Sequence, residues 1–182
     1  ESLLAAGLQF VHPVERGGVG VLAGLAGAVD VDRAVHRGPR DRHVNAFHAG
    51  LVGDGAAAVR AEHPGGDGSA RLLVALADGQ TVESVLLPRD GLCVSTQVGC
   101  AVGCVFCMTG REGLLRQVGS AEIVAQVVLA RARRRVKKVV FMGMGEPAHN
   151  LDNVLEAIDF LGTVGNVGHK NLVFSTVGDP RA

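Results

Sequence analysis

The 182-residue sequence lacks a net charge, a long apolar run and any cysteine outside one short stretch. Lysine and arginine total 18, as do aspartate and glutamate, which excludes a whole-molecule field that would attract nucleic acid or an anionic membrane. No stretch reaches the roughly twenty apolar residues of a membrane span, and no basic segment leads into an apolar one at the start. We therefore expect a soluble, cytoplasmic protein with no membrane partner.

All four cysteines lie between Cys93 and Cys107, in the stretch "LCVSTQVGCAVGCVFCMTG". In a chain expected to be cytoplasmic, thiols crowded into one loop favour metal binding or catalysis over a disulfide framework. Gly99 and Gly103 can take the positive φ values that a tightly folded loop requires. The stretch therefore predicts a compact loop built around thiol chemistry.

Three of the thiols, Cys100, Cys104 and Cys107, have the spacing C-x3-C-x2-C. Three cysteines on a 4Fe-4S cluster leave one iron free to bind a group that is not protein. A structural zinc site with Cys93 as the fourth ligand is an alternative, although its usual signature is paired C-x2-C units. Two disulfides are a third interpretation, which the expected compartment disfavours. The spacing favours the cluster and leaves zinc open.

Composition and pattern divide the chain into three regions. Residues 1–62 are a poorly defined N-terminal segment, in which frequent glycine lowers helix stability. Residues 63–92 hold the loop cluster "HPGGDGS" and two β-prone runs around Asp78-Gly79, a dipeptide typical of tight hairpin turns. Residues 93–182 read as strands and helices in the order βαβαβ, which predicts parallel strands joined by crossovers.

Two helices are predicted in the last region. The first covers "SAEIVAQVVLARARRR", with Ser120 as the N-cap and Glu122 in the first turn. The second covers "NLDNVLEAIDFLG" and has four apolar residues at helical spacing. These are Val154, Leu155, Ile158 and Leu161. The basic run at residues 130–138 is interpreted as a solvated face, with contact to RNA phosphates as the second interpretation.

Four motifs carry a family resemblance: "LCVSTQVGCAVGCVFCMTG", "EIVAQV", "VVFMGMGEPAHNLDNV" and "FSTVGD". C-x3-C-x2-C after the first strand of a βα series resembles the radical S-adenosylmethionine (radical SAM) enzymes. The four motifs in this order, over about residues 67–180, resemble the RlmN/Cfr-type RNA methyltransferases within that superfamily. The resemblance implies an α/β fold, the βαβαβ half of an incomplete (β/α)6 partial barrel preceded by a β-hairpin.

The same resemblance implies cofactors and partners. The cofactors are a 4Fe-4S cluster and S-adenosylmethionine, and the cofactor carries the difficult chemistry while the protein orients it. The implied reaction methylates a ring carbon of adenosine in 23S ribosomal RNA, with transfer RNA as a second substrate. A flavodoxin-type or ferredoxin-type protein would supply electrons, and we expect a monomer.

Residue roles implied by the resemblance begin with the thiols. Cys100, Cys104 and Cys107 match the cluster ligands. Cys93 matches a separate catalytic thiol that resolves a covalent bond to RNA, so we expect a locally lowered pKa for it. Without the resemblance, a buried small apolar side chain is the default interpretation of Cys93.

The remaining implied roles fall on Glu83, Gly145, Glu146 and Ser175. Glu83 matches the general base, and on an alternating strand it would share an apolar face with its neighbours; a solvated hairpin edge is the alternative. Gly145, Glu146 and Ser175 match contacts of the S-adenosylmethionine pocket, at the strand ends where α/β proteins usually bind ligands.

The sequence departs from the family pattern at one catalytic position. Family members carry a second catalytic cysteine in their C-terminal part, which holds the methyl group, and no cysteine follows Cys107 here. We therefore expect an inactive fragment. The alternatives are a different radical SAM reaction and a non-catalytic module in which four cysteines hold zinc.

Overall fold

The computed structural model describes residues 57–178. Most of the predicted N-terminal region, residues 1–56, and the last four residues lie outside the described part. The elements are β1 (Ala57–Pro64), β2 (Ala70–Leu76), β3 (Thr81–Leu87), β4 (Gly91–Val94), β5 (Gln97–Gly99), β6 (Leu114–Gln117), α1 (Ser120–Arg131), β7 (Lys138–Phe141), α2 (Leu151–Thr163) and β8 (Leu172–Phe174), with short 3-10 turns at Met108–Gly110, Pro147–Asn150 and His169–Asn171. Neither α-helix in this part is long and apolar enough to cross a membrane.

Six of the strands form one mixed sheet in the order β1-β2-β3-β4-β7-β8. The first four strands run antiparallel to their neighbours, and β4, β7 and β8 run parallel. Helix α1 connects β4 to β7 by way of the β5–β6 pair, and α2 connects β7 to β8. The predicted α/β class with parallel strands is confirmed. The partial barrel stays a prediction.

The predicted hairpin forms between β2 and β3, where Leu73 pairs with Glu83. Its turn depends on Gly79, which has φ of 84° and donates its N–H to the Leu76 carbonyl at 3.0 Å. The Asp78 carboxylate accepts from the Gln80 N–H at 3.0 Å, as aspartate commonly does in turns.

The predicted boundary between residues 62 and 63 falls inside a strand. Strand β1 pairs with β2 from Ala57↔Leu76 to Pro64↔Ala70, so residues on both sides of the boundary belong to the main sheet. The cluster "HPGGDGS" is the turn of this second hairpin, with the Gly65 N–H donating to the Ser69 carbonyl at 2.8 Å. Burial alternates along β1 from Ala57 to Glu62, but three alanines make this alternation weak in the sequence.

The hydrophobic core lies between the sheet and the two helices. Strands β4 and β7 contribute Leu92, Val94, Val139 and Phe141, all fully buried. The residues between them along the strands point to the other face of the sheet because side chains alternate along a strand. Cys93 and Val140 therefore share that other face, where they are paired neighbours.

The start of helix α1 differs from the prediction. Its N-cap is Gly119, whose N–H donates to the Glu122 carboxylate at 2.9 Å, and Ser120 is the first helical residue. The predicted capping role of Ser120 is therefore wrong, because Glu122 satisfies the helix end from inside the first turn.

The buried face of α2 also differs by one residue. It consists of Val154, Ala157, Ile158 and Leu161. Leu155 is 38% exposed. Each residue advances about 100° around a helix, so the buried stripe passes through Ala157 and leaves Leu155 at its margin.

The basic run lies at the end of the sheet opposite the cysteines. Arg131 donates to the Gly165 carbonyl at 2.7 Å, and Arg134 donates to backbone carbonyls of the two hairpins. Lys137 pairs with Asp90, just before β4, at 3.1 Å. Much of this charge is thus used in intramolecular contacts, at the amino ends of β4 and β7.

The buried amide of Gln126 connects α1 to the sheet. Its Oε1 accepts from the Ser84 hydroxyl at 2.8 Å and from the Ser95 N–H at 2.9 Å. Its Nε2 donates to the Ser95 carbonyl at 2.9 Å. All three residues are fully buried, so these groups have no access to water. One amide therefore satisfies both backbone groups of the residue that follows β4.

We predict that Gln126→Leu lowers the free energy of unfolding by about 3 kcal/mol or more, because each buried polar group left unpaired costs roughly 1–3 kcal/mol. Urea denaturation measures the change. The matched control is Gln80→Leu at an exposed turn position, which should change stability by less than about 0.5 kcal/mol. Equal effects of the two substitutions would contradict the structural role of Gln126.

Candidate functional site

The turn after β7 is hydrogen-bonded to the segment after β4. The N–H groups of Thr96 and Gln97 both donate to the Met144 carbonyl, at 2.8 and 3.1 Å. The Gly143 N–H donates to the Val94 carbonyl at 3.0 Å. Both segments lie at the carboxyl ends of neighbouring parallel strands, the edge at which α/β proteins bind ligands.

Gly145 allows these two segments to approach closely. It has φ of 96°, and a Cβ at this position would overlap the side chain of Gln97. The Gln97 amide accepts from the Glu146 N–H at 2.9 Å and donates to Gln117 at 2.9 Å. Glycine is required here both for the backbone angle and for the space that Gln97 occupies.

Glu146 joins this turn to the end of β8. Its side chain is buried, with 3% of its surface exposed. One carboxylate oxygen accepts from the Ala148 N–H at 3.0 Å and the other from the Val177 N–H at 3.0 Å. Ser175, partly buried, lies two residues before Val177. The structure thus brings Gly145, Glu146 and Ser175 to one end of the sheet.

The cysteine loop is the connection of a small hairpin that the sequence did not predict. Strands β5 and β6 pair antiparallel, and the Cys100 N–H closes the loop by donating to the Gly113 carbonyl at 2.9 Å. Gly99 and Gly103 have φ of 78° and 66°, as the loop prediction required. The loop presents apolar side chains to the surface, with Phe106 86% exposed.

Cys100, Cys104 and Cys107 are partly exposed free thiols on this loop. Among residues 57–178, no three His, Cys, Asp or Glu side chains are grouped closely enough to hold a metal ion. The hydrogen bond with the Thr109 side chain holds the pKa of the Cys107 thiol below its ordinary value. Because the thiolate is the form that binds metals, this shift favours ligation by Cys107. The three free thiols on the loop match the cysteine donors of an iron–sulfur cluster in type.

Cys93 lies apart from the other three thiols, on strand β4. It is buried between its sheet partners Val85 and Val140. Burial raises the pKa of its thiol to about 11, against a smaller opposing effect of a backbone hydrogen bond at Met142. The expected lowering of this pKa is therefore wrong, because the apolar surroundings disfavour the thiolate.

Glu83 lies on the same face of the sheet as Cys93. Val85 pairs with Cys93, and Glu83 is two residues from Val85 on β3, so the three side chains point to one side. The Glu83 side chain is 42% exposed and accepts from Arg71 at 3.1 Å. The expected apolar setting is wrong, because the buried face of β3 is formed by Val82, Ser84 and Leu86.

Arg116 connects the β5–β6 hairpin to two other elements. Its guanidinium donates to both carboxylate oxygens of Glu122, at 2.8 and 2.9 Å, and to Asp78 in the β2–β3 turn at 2.6 Å. The bond from Arg116 lowers the pKa of Asp78. The bidentate pair fixes the strand that leads out of the cysteine loop.

Several residues that hold this site together were not identified from the sequence. Asn150 donates to the carbonyls of Thr96 at 2.8 Å and Val118 at 2.7 Å, and Gln126 holds Ser95. A signal existed for Gln126, because a long polar residue interrupts the apolar run "IVAQVV". Its partners could not be read from that run.

The chain is similar to a known protein family and to named proteins. The family model described as "Radical SAM superfamily" matches residues 94–180. Over 128 residues, the chain is 89% identical to a probable RNA methyltransferase of Leptothrix cholodnii and 85% identical to one of Azoarcus sp.. Each alignment covers 70% of this chain and 37% of the relative. The chain thus spans little more than a third of the length of these relatives.

A solved structure is also similar to this chain. A radical SAM methyltransferase from Sphaerobacter thermophilus matches it with a TM-score of 0.63 and 39% sequence identity. The match covers 68% of this chain and 40% of that one.

We predict that alkylation separates Cys93 from the loop thiols. With a pKa of about 11 instead of 9.0, Cys93 has about 100-fold less thiolate at pH 8 than an ordinary cysteine. Iodoacetamide at pH 8 should therefore modify Cys107 first and Cys93 last, and modification of Cys93 should accelerate as the pH rises toward 11. Mass-spectrometric peptide mapping of the metal-free chain measures both rates, and unfolding in urea should abolish the difference. Equal rates in the folded chain would contradict the buried thiol.

We predict that Gly99→Ala disrupts the β5–β6 hairpin more than Gly103→Ala does. Both residues have positive φ, which costs a non-glycine residue roughly 1–2 kcal/mol. At Gly99 the new Cβ would also overlap the Gly113 carbonyl oxygen, whereas at Gly103 it meets open space. Hydrogen exchange at the Cys100 amide should accelerate strongly in Gly99→Ala alone. Equal acceleration in both variants would show that the backbone angle, not the close approach, is limiting.

Proposed function

We propose that this chain, whose residues 94–180 match the radical SAM superfamily, is part of an RlmN/Cfr-type RNA methyltransferase. The proposed reaction methylates a ring carbon of adenosine in 23S ribosomal RNA, with transfer RNA as a second substrate. The observation that carries the proposal is the backbone hydrogen bonding between the turn after β7 and the segment leading into the cysteine loop. In the proposal, the first segment contacts S-adenosylmethionine and the second leads to the cluster ligands. The names of the relatives support RNA as the substrate.

In this proposal Cys100, Cys104 and Cys107 hold a 4Fe-4S cluster. The cluster and S-adenosylmethionine supply, when bound, a carbon-centred radical. The β5–β6 hairpin fixes the two ends of the loop, and the lowered pKa of Cys107 favours the form that ligates iron. A flavodoxin-type or ferredoxin-type donor would supply the electron to this exposed loop.

Gly145, Glu146 and Ser175 are the proposed contacts to S-adenosylmethionine. A carboxylate offers about four acceptor positions, and the two backbone donors of Glu146 use one on each oxygen. Acceptor capacity therefore remains for the ammonium group of the ligand. Gly145 has a positive φ, and because it is glycine the turn has no side chain where it approaches Gln97.

Glu83 and Cys93 are the proposed general base and resolving thiol. Cys93 is a protonated thiol in this chain at neutral pH, because burial raises its pKa. In the proposed role this thiol must lose its proton before its sulfur can act as a nucleophile. Glu83 carries a solvent-accessible carboxylate on the same face of the sheet, which is compatible with its proposed role as general base.

Anaerobic reconstitution with iron and sulfide tests the cofactor assignment. We expect iron–sulfur absorption from the wild-type chain and its loss in Cys100→Ala, Cys104→Ala and Cys107→Ala. Cys93→Ala is the matched control and should retain the cluster, because Cys93 lies on β4 and not on the loop.

Zinc competition addresses the alternative of a four-cysteine zinc module. Stoichiometric zinc without iron–sulfur absorption, with metal loss in all four variants including Cys93→Ala, would support that module and overturn the proposed function. Methyl-labelled S-adenosylmethionine and 23S RNA then test the substrate in an enzyme of the relatives' full length, where label must appear on an adenine carbon.

A further inference from the structure

Ser95 is a fully buried residue with all its polar groups in use. Its hydroxyl donates to the Glu83 carbonyl at 2.5 Å and accepts from the Met144 N–H at 2.8 Å. Its own N–H and carbonyl are both held by the Gln126 amide at 2.9 Å. One small side chain therefore joins strand β3 to the turn after β7, and a helix holds its backbone in place.

A hydroxyl is suited to this position because it donates and accepts at the same atom. The Glu83 carbonyl needs a donor and the Met144 N–H needs an acceptor, and both lie within reach of the Ser95 Oγ. Alanine at this position would leave both backbone groups without that partner. Ser95 itself has no exposed surface.

The space around this hydroxyl is tight. A Cβ at Gly143 would lie 2.7 Å from the Ser95 Oγ and 2.7 Å from the Val94 carbonyl oxygen. The glycine therefore lets the turn come close enough to bond to Ser95. The close approach and the hydrogen bond fix the same spacing between the two segments.

Ser84 provides an internal comparison. It is also a fully buried serine whose hydroxyl donates to a buried acceptor, the Gln126 Oε1 at 2.8 Å. That bond runs to helix α1, on the core side of the sheet, and not to the turn. The two serines thus have similar burial but different targets.

We propose that Ser95 is a positioning residue that fixes the Met144–Glu146 turn against the strand carrying Glu83. The part that concerns S-adenosylmethionine rests on the proposed function, in which Gly145 and Glu146 contact this ligand. The part that concerns the turn rests on the hydrogen bonds alone. Ser95 acts through the backbone of its neighbours and needs no contact with the substrate.

The test compares Ser95→Ala with Ser84→Ala in the full 182-residue chain. The first readout is hydrogen exchange of the Met144 amide in the cofactor-free chain, measured by NMR. Ser95→Ala should accelerate it by about tenfold, equivalent to loss of one hydrogen bond, and Ser84→Ala should leave it within about twofold. Both variants should lower the melting temperature, so the exchange rate separates positioning from stability.

The second readout is the dissociation constant of S-adenosylmethionine for the reconstituted chain. Ser95→Ala should raise it by about tenfold at unchanged iron content, with Ser84→Ala close to wild type. Gly143→Ala perturbs the same spacing from the other side while keeping the hydroxyl, and should weaken binding as well. It also keeps the test decisive if Ser95→Ala fails to fold, as circular dichroism would show.

Two outcomes would overturn the proposal. One is an unchanged Met144 exchange rate in folded Ser95→Ala, and the other is an equal change in Ser84→Ala. A wild-type chain that does not bind S-adenosylmethionine would contradict the proposed function and the cofactor part of this inference. The exchange comparison would then still decide whether Ser95 fixes the turn.

Discussion

The candidate site depends on the amide of Gln126 bonded to both backbone groups of Ser95. Where β4 leaves the sheet, its backbone loses the strand partners that satisfied it, yet it stays buried under α1. A buried N–H or carbonyl without a partner is costly, so the chain can turn here only if a side chain replaces the missing strand. Gln126 supplies a donor and an acceptor in one planar group. Asn150 does the same for the carbonyl of Thr96, the next residue.

The candidate site therefore consists of a buried, hydrogen-bonded part at the strand ends and a partly exposed cysteine loop. Next to the loop, buried polar side chains connect the end of β7 to the end of β4 through Ser95 and Gln97, and to the end of β8 through Glu146. On the loop itself, the three cysteines are partly exposed free thiols. Metal binding commonly completes the folding of such segments, because ligation supplies the energy that the apolar core does not. The two ends of the loop are fixed by the pairing of β5 with β6.

The charged groups are of two kinds. Some form ion pairs that connect separate elements of the fold, and others are accessible to solvent on the sheet face opposite the helices. Arg116 bonds to two carboxylates that belong to separate elements. Glu83 and Cys93 share the sheet face opposite the helices, where one is accessible and the other is a buried thiol with a raised pKa. The basic run contributes at the other end of the strands, where it bonds to the hairpins.

The sequence by itself determined the hairpin around Asp78-Gly79, the alternation of parallel strands and helices, and the loop that carries Cys100, Cys104 and Cys107. These follow from local rules, since turn residues, apolar periodicity and thiol spacing act within a few positions of each other. Three predictions from the sequence were wrong or missing: the N-cap of α1 was misplaced, Leu155 was included in the core face, and the β5–β6 hairpin was not predicted. That hairpin pairs segments on both sides of the loop, so no local pattern indicates it. Only the tertiary structure decided that Cys93 is a buried thiol with a raised pKa, that Glu83 is accessible, and that Ser95 and Gln126 hold the site. The residues that bury a side chain and bond to it lie far from it in the chain. The pKa of a side chain depends on those residues, and not on the motif that contains it.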